Sequence, residues 1–172
     1  DESEEIILVN NKLNSIKNYE DYFLLKDIVL CEPAKLIKTD LTGFNKKCRA
    51  LTKKKYTAKN INDNLNDVMI LNMPNGGVPV DEYINSSPGF ETMLKVHNQL
   101  VKTLKNGIIP MNEKNIYHCD LKDSNILVQE DNGSLKTRLI DWGLTTEYKP
   151  FIDHKFPSTW RNRPLQFNVP FS

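Results

Sequence analysis

The chain has 172 residues, a formal net charge of +1, 26% charged residues and 39% apolar ones. That length fits one domain or part of one, with enough apolar residues for a sizeable core. The near-neutral balance gives no global case for nucleic acid or an anionic membrane, and no apolar run approaches a membrane span.

Three cysteines, Cys31, Cys48 and Cys119, form no close pair. An odd, scattered set is expected to stay as free thiols in the cytoplasm or another reducing intracellular compartment. His97, His118 and His154 are not spaced with them as zinc ligands. Ile6-Ile7-Leu8-Val9 is too short for a secretory apolar region and follows acids rather than bases. The chain begins at Asp1 and runs to Pro170-Phe171-Ser172, which reads as a fragment of a longer reading frame.

Residues 2–17 are expected to form a helix, capped by Ser3, with Glu4 and Glu5 in the first turn. Ile6, Val9, Leu13 and Ile16 recur at helical spacing, as plain core packing requires. Tyr22 to Leu30 reads as a buried strand ended by Pro33. Residues 35–66 show no clear period. They hold a basic cluster of Lys46, Lys47, Arg49, Lys53, Lys54, Lys55 and Lys59. Such a run is ordinarily a solvated face, and its rival reading is a docking surface for an acidic partner. With only Phe44 and Tyr56 nearby, the aromatic interleaving of a single-strand nucleic-acid site is thin.

Val68 to Leu71 reads as a short buried strand, and Pro74-Asn75-Gly76-Gly77 breaks it. Val80 to Ile84 predicts a short helix. A long one is expected over 88–106, with Ser87 as cap, Pro88 in the first turn and Gly107 as terminator. Phe90, Met93, Leu94, His97, Leu100, Val101 and Leu104 form its apolar stripe, with His97 a core or boundary residue. Ile116-Tyr117 is a short strand. Ile126-Leu127-Val128 and Leu135 to Ile140 are two more, joined through Asn132-Gly133 as a hairpin. Residues 144–172 read as an extended surface segment.

That hairpin brings its two outer ends together, Asn125 and Asp141. Just before it stand Asp120 and Lys122. A carboxylate that orients a hydroxyl, a cation for phosphate oxygens, and an amide and second carboxylate for a hard cation are the equipment of phosphoryl transfer.

These residues carry a family resemblance. His118-Cys119-Asp120-Leu121-Lys122-x-x-Asn125 resembles the catalytic loop of eukaryotic-type protein kinases, and Asp141-Trp142-Gly143 resembles their metal-binding Asp-Phe-Gly. The lysine two residues after the aspartate is similar to the Ser/Thr class. Leu71-Asn72-Met73-Pro74-Asn75-Gly76-Gly77 resembles the hinge between kinase lobes, and Asn168-Val169-Pro170-Phe171 falls where kinases carry Ala-Pro-Glu. His-Cys-Asp, Asp-Trp-Gly and Arg-Pro-Leu-Gln-Phe-Asn also resemble kinases of large DNA viruses, which would place the chain in an infected host cell.

The resemblance implies an α+β, protein-kinase-like two-lobed fold, incomplete in this chain. A partial small lobe would take residues 1–71, the hinge 72–79, and the first part of the helical large lobe, with the catalytic hairpin, 80–172. It implies Mg²⁺-dependent transfer of the ATP γ-phosphate to Ser/Thr hydroxyls of protein substrates, with no nucleic acid or membrane partner. Asp120 and Lys122 would be catalytic, and Asn125 and Asp141 would hold the metal. Asn72, Met73, Pro74 and Leu127 would meet adenine. Glu5, with Glu4 as competitor, would match the glutamate that pairs with the ATP-positioning lysine.

The chain also departs from the pattern. Nothing before Glu5 supplies a Gly-rich loop or that lysine. Cys119 replaces the arginine that receives an activation-loop phosphate, so activity is expected not to depend on that contact. Trp142 replaces phenylalanine, Phe171 replaces glutamate, and Pro74 lacks the N–H that a hinge offers adenine. Two rival readings follow, a catalytically impaired pseudokinase or docking scaffold, and a small-molecule kinase. Lys122 argues against the second.

Overall fold

The computed structural model describes the backbone of residues 2–149 and the side chains of residues 6–149. They divide into two bodies, one built from the chain up to Lys26 and from Pro74 onward, the other from Asp27–Met73.

Helix α1 (Glu2–Leu13) buries Ile6, Val9 and Leu13, and Ile16 just past its end is buried too. The expected stripe is therefore the packed face. A left-handed Asn18 and a short 3₁₀ turn, Tyr19–Asp21, lead into Phe23, Leu24 and Leu25, all buried. The buried strand expected over Tyr22–Leu30 is not formed as such. Phe23 makes one isolated parallel bridge to Leu139, and Asp27 at φ 59° breaks the run. Val29 and Leu30, beyond the break, are exposed.

In the 27–73 body, β1 (Val29–Cys31) pairs antiparallel with β2 (Ile70–Asn72), Leu30 opposite Leu71. The intervening chain holds α2 (Lys38–Leu41), α3 (Phe44–Lys47), α4 (Arg49–Lys53) and 3₁₀ turns at Ile61–Asp63 and Leu65–Asp67. Phe44 and Ile61 are its buried apolar residues. Side-chain amides do the rest. Asn62 donates to Leu36 O at 2.9 Å and accepts from Leu36 N at 2.8 Å. Asn60 accepts from Thr57 N at 2.6 Å, and Asn45 accepts from Ala58 N at 2.9 Å. Such bonds satisfy backbone groups that regular structure leaves open. The strand expected at Val68–Leu71 lies at Ile70–Asn72 instead and is not buried, because a two-stranded ribbon covers neither of its own faces.

The first body resumes at Pro74. Asn75 Oδ1 accepts from Gly77 N at 2.9 Å, folding the breaker cluster into a turn. Then come β3 (Val78–Pro79) and α5 (Val80–Asn85). Helix α6 (Phe90–Thr103) starts two residues later than expected, with Gly89 at its N-cap and Ser87 left-handed at φ 56°. Its buried residues are Val96 and Thr103. Much of the expected stripe faces outward, with Phe90 82% and Leu94 49% exposed, and His97 is exposed rather than core. The face that packs is rotated toward Val96 because α6 lies against the strand Ser134–Leu139.

Gly107 does not end the helix. Residues Leu104–Ile108 form a π turn that runs straight into α7 (Ile109–Glu113). Gly107 is buried there, and a Cβ on it would stand 2.7 Å from Tyr22 Cβ. Its smallness serves close packing rather than termination. Next are β4 (Ile116–Tyr117), β5 (Ile126–Asp131), β6 (Ser134–Leu139) and β7 (Thr146–Glu147). Strands β3, β5 and β6 make an antiparallel sheet, and β4 pairs with β7. Asn132 and Gly133, at φ 49° and 78°, form the tight turn of the expected hairpin.

Val80, Val96, Val128 and Leu135 close the core between α5, α6 and the sheet. Burying each such side chain is worth about 1.5–3 kcal/mol. One polar link crosses it. Thr103 Oγ1 donates to Thr137 O at 2.9 Å and, at 2.7 Å, accepts from the Thr137 hydroxyl.

Candidate active site

The loop between β4 and β5 is fixed by its own polar atoms. His118 is 1% exposed, and its Nε2–H donates to Ile140 O at 2.9 Å. Nδ1 then accepts from Asp120 N at 3.3 Å. These two bonds require the neutral Nε2–H tautomer. Burial pushes the imidazole below its ordinary value. The Ile140 carbonyl and the Asp120 and Asp141 carboxylates oppose that shift without reversing it.

Asp120 is 4% exposed and held by two side chains. Asn125 Nδ2 donates to its Oδ2 at 2.9 Å and to its backbone O at 3.0 Å. Lys122 Nζ lies 2.8 Å from the same Oδ2, and that hydrogen bond holds the ammonium above its ordinary value. Cys119, just before Asp120, has φ 61°, a left-handed backbone that turns the carboxylate inward at some strain.

The hairpin delivers the second carboxylate. Ile140 N donates to Asn125 O at 3.0 Å, and Ile140 O takes the His118 bond. Asp141 therefore follows directly on a residue clamped between Asn125 and His118. It is exposed and left-handed at φ 65°, a conformation aspartate tolerates. Trp142 turns the other way and is buried. Its ring meets His118 edge-on at 5.0 Å and Phe23 at 5.5 Å. Its indole N–H finds no acceptor among the described residues.

Asp120, Lys122 and Asn125 are thus joined by hydrogen bonds, and Asp141 follows directly on Ile140, whose N–H donates to Asn125 O. Among the described residues no three His, Cys, Asp or Glu side chains converge on one metal position. The donors fit Mg²⁺ nonetheless. Asn125 uses Nδ2 on Asp120, so its other amide atom is an oxygen, and Asp141 adds a carboxylate. Mg²⁺ characteristically takes one or two protein oxygens and completes its shell with water and phosphate.

The match to known proteins agrees with this geometry. Residues 46–159, two thirds of the chain, match the protein kinase domain family. The chain belongs to that family. A search of curated proteins and one of solved structures each returned no match. Protein kinase domains generally use ATP and Mg²⁺ and act on proteins.

Within this kinase domain the remaining candidates divide between the two bodies. Leu127 is buried in β5 and packs on Gly76, where a Cβ would stand 2.5 Å from Leu127 Cδ1. Pro74 begins the same body. Asn72, the last residue of β2, and the exposed Met73 belong to the 27–73 body. Glu5 lies on α1, before the family match, and its side chain is outside those described, as is that of Glu4. Asn168-Val169-Pro170-Phe171 also lies outside the described residues.

Ion pairs escaped sequence reasoning, among them one that ties α1 to β7. Lys12 of α1 pairs with Glu147 of β7, and Lys149 lies 3.8 Å from the same glutamate. Nothing local marks two residues 135 positions apart. No helix among the described residues is long and apolar enough to cross a membrane.

Proposed function

We propose that this domain transfers the ATP γ-phosphate to Ser/Thr hydroxyls of protein substrates with Mg²⁺. One observation carries the reading. The Asp120 carboxylate is buried, oriented by Asn125 at 2.9 Å and charge-paired with Lys122 at 2.8 Å. A carboxylate so held can accept the proton of an acceptor hydroxyl as its oxygen bonds to phosphorus. Lys122 places positive charge beside the transferring phosphoryl group. Asn125 and Asp141 would hold Mg²⁺, which neutralises phosphate oxygens when bound. Lys122 also favours the Ser/Thr class, through its likeness to that class's catalytic loop. Leu127 and Pro74 would face adenine, and Glu5 would pair with an ATP-positioning lysine.

The test is Asp120→Asn. Transfer to a generic basic protein should fall at least about 10³-fold, with ATP binding retained. Unchanged turnover would overturn the assignment. Phosphorylation of amino-alcohols in place of protein would favour a small-molecule kinase, and ATP binding without transfer by the unaltered protein would favour a pseudokinase.

A further inference from the structure

Antiparallel strands are usually joined by a few residues. Here β1 and β2 are joined by residues 32–69, and that excursion is folded rather than slack. Its polar side chains divide by chemistry. Asn60, Asn62, Asn64, Thr52 and Thr57 are half-buried and bond backbone groups, as does the exposed Asn45. The cations point out. Lys46, Lys47, Arg49, Lys53, Lys54, Lys55 and Lys59 are all exposed, and none joins an ion pair among the described residues. No acid occurs between Asp40 and Asp63, so residues 41–62 carry +7. The rest of the chain holds 16 basic residues against 22 acidic, a net −6.

That segregation costs self-repulsion, and an anionic partner relieves it. Three kinds of anion could do so. An inserted membrane helix is excluded by form, since α3 and α4 have four and five residues and Phe44 is buried. Base stacking is excluded because Phe44 is buried and Tyr56 is half-buried, with its OH on Asp67 at 3.4 Å. A short acidic segment matches the scale of residues 41–62, which hold seven cations and no acid.

We propose that residues 32–69 are a docking module that captures short Asp/Glu-rich segments of protein partners. Capture by residues 32–69, which contain none of the residues proposed to act on the phosphoryl group, would raise the local concentration of an acidic substrate. That the partner is a substrate rests on the kinase reading, whereas capture itself does not.

The test uses the full chain and a fluorescent Asp/Glu-rich peptide, read by anisotropy without nucleotide. K53E/K54E/K55E should weaken binding at least about tenfold, and raising salt should weaken the unaltered protein similarly. K53Q/K54Q/K55Q should give an intermediate loss, which guards against misfolding of the reversed variant. Asp120→Asn should bind the peptide normally, so failure of the transfer reading leaves this readout intact. Peptide affinity indifferent to Lys53–Lys55 would overturn the proposal. So would tighter lysine-dependent binding of duplex DNA or of phosphatidylserine vesicles.

Discussion

Lys122 Nζ stands 2.8 Å from Asp120 Oδ2, the same oxygen that Asn125 Nδ2 reaches at 2.9 Å. The lysine is part-exposed while the carboxylate is buried, so the charge faces outward from a fixed base. Lys122→Met should lower kcat about 10²–10³-fold, because it removes charge beside the phosphoryl group and leaves Asn125 to hold Asp120. The thermal unfolding midpoint should also fall, because Asp120 loses one of its two side-chain donors. Asn125→Ala should weaken Mg²⁺-nucleotide binding as well, and should destabilise by about 1–3 kcal/mol, because Asp120 loses the donor to both its carboxylate and its backbone oxygen. Steady-state kinetics with a Mg²⁺ titration separates the two, and equal KM effects in both would contradict the division of roles.

His118 makes stability pH-dependent. Its folded pKa lies below the ordinary 6.5, so the fold favours the neutral ring and the unfolded chain takes up the proton first. The contribution is complete above about 6.5 and is lost as pH falls below it, at no more than about 1.4 kcal/mol per pH unit. Protonating Nδ1 also ends the bond from Asp120 N. Urea unfolding at pH 7.5 and 5.5 should show the advantage of the unaltered chain over His118→Gln shrinking toward acid. A constant difference would contradict the buried neutral ring.

Trp142 carries a buried indole N–H with no acceptor among the described residues. Trp142→Phe removes that donor, worth about 1–3 kcal/mol, while opening a small void of comparable cost. The expected change in unfolding free energy is within about 1 kcal/mol of zero. Trp142→Ala should cost about 3–5 kcal/mol, because it also empties the contacts with Phe23 and His118. Denaturant midpoints distinguish the pair, and a large loss in Trp142→Phe would point to a partner for the indole.

Gly77 and Gly133 separate crowding from backbone strain. Both have positive φ, 98° and 78°. A Cβ at Gly77 would stand 2.0 Å from Val128 O, whereas one at Gly133 meets nothing within 4 Å. Gly133→Ala should cost about 1–2 kcal/mol from strain alone. Gly77→Ala should cost more, because it also forces β3 from β5, by about a further 1–3 kcal/mol. Equal losses would mean that β3 moves away freely.

The family-defining motif of the β4–β5 loop, the hairpin and the α1 stripe were legible because each is written at short range. Asn132-Gly133 states its own turn, and Ile6, Val9 and Leu13 state a helical face. Other elements were not. The stripe on α6 counted apolar residues, but the buried face is chosen by what lies opposite, and Val96 and Thr103 win because Thr137 and Leu135 face them. Gly107 has a terminator's composition yet is used for contact with Tyr22. The 27–73 body had no period to read, since amides rather than apolar spacing hold it.

Residue order was enough to propose the site: a carboxylate, a lysine and an amide within six positions, and a second carboxylate that follows the hairpin. Local spacing limits which backbone geometries such short segments can take, so their meaning survives without the fold. Tertiary structure decided the rest. It set the tautomer of His118 through Ile140, the burial of Trp142 against Phe23, and the joining of Lys12 to Glu147. Those partners lie 22, 119 and 135 residues apart, beyond any helical or strand period, and only chain packing brings them within reach.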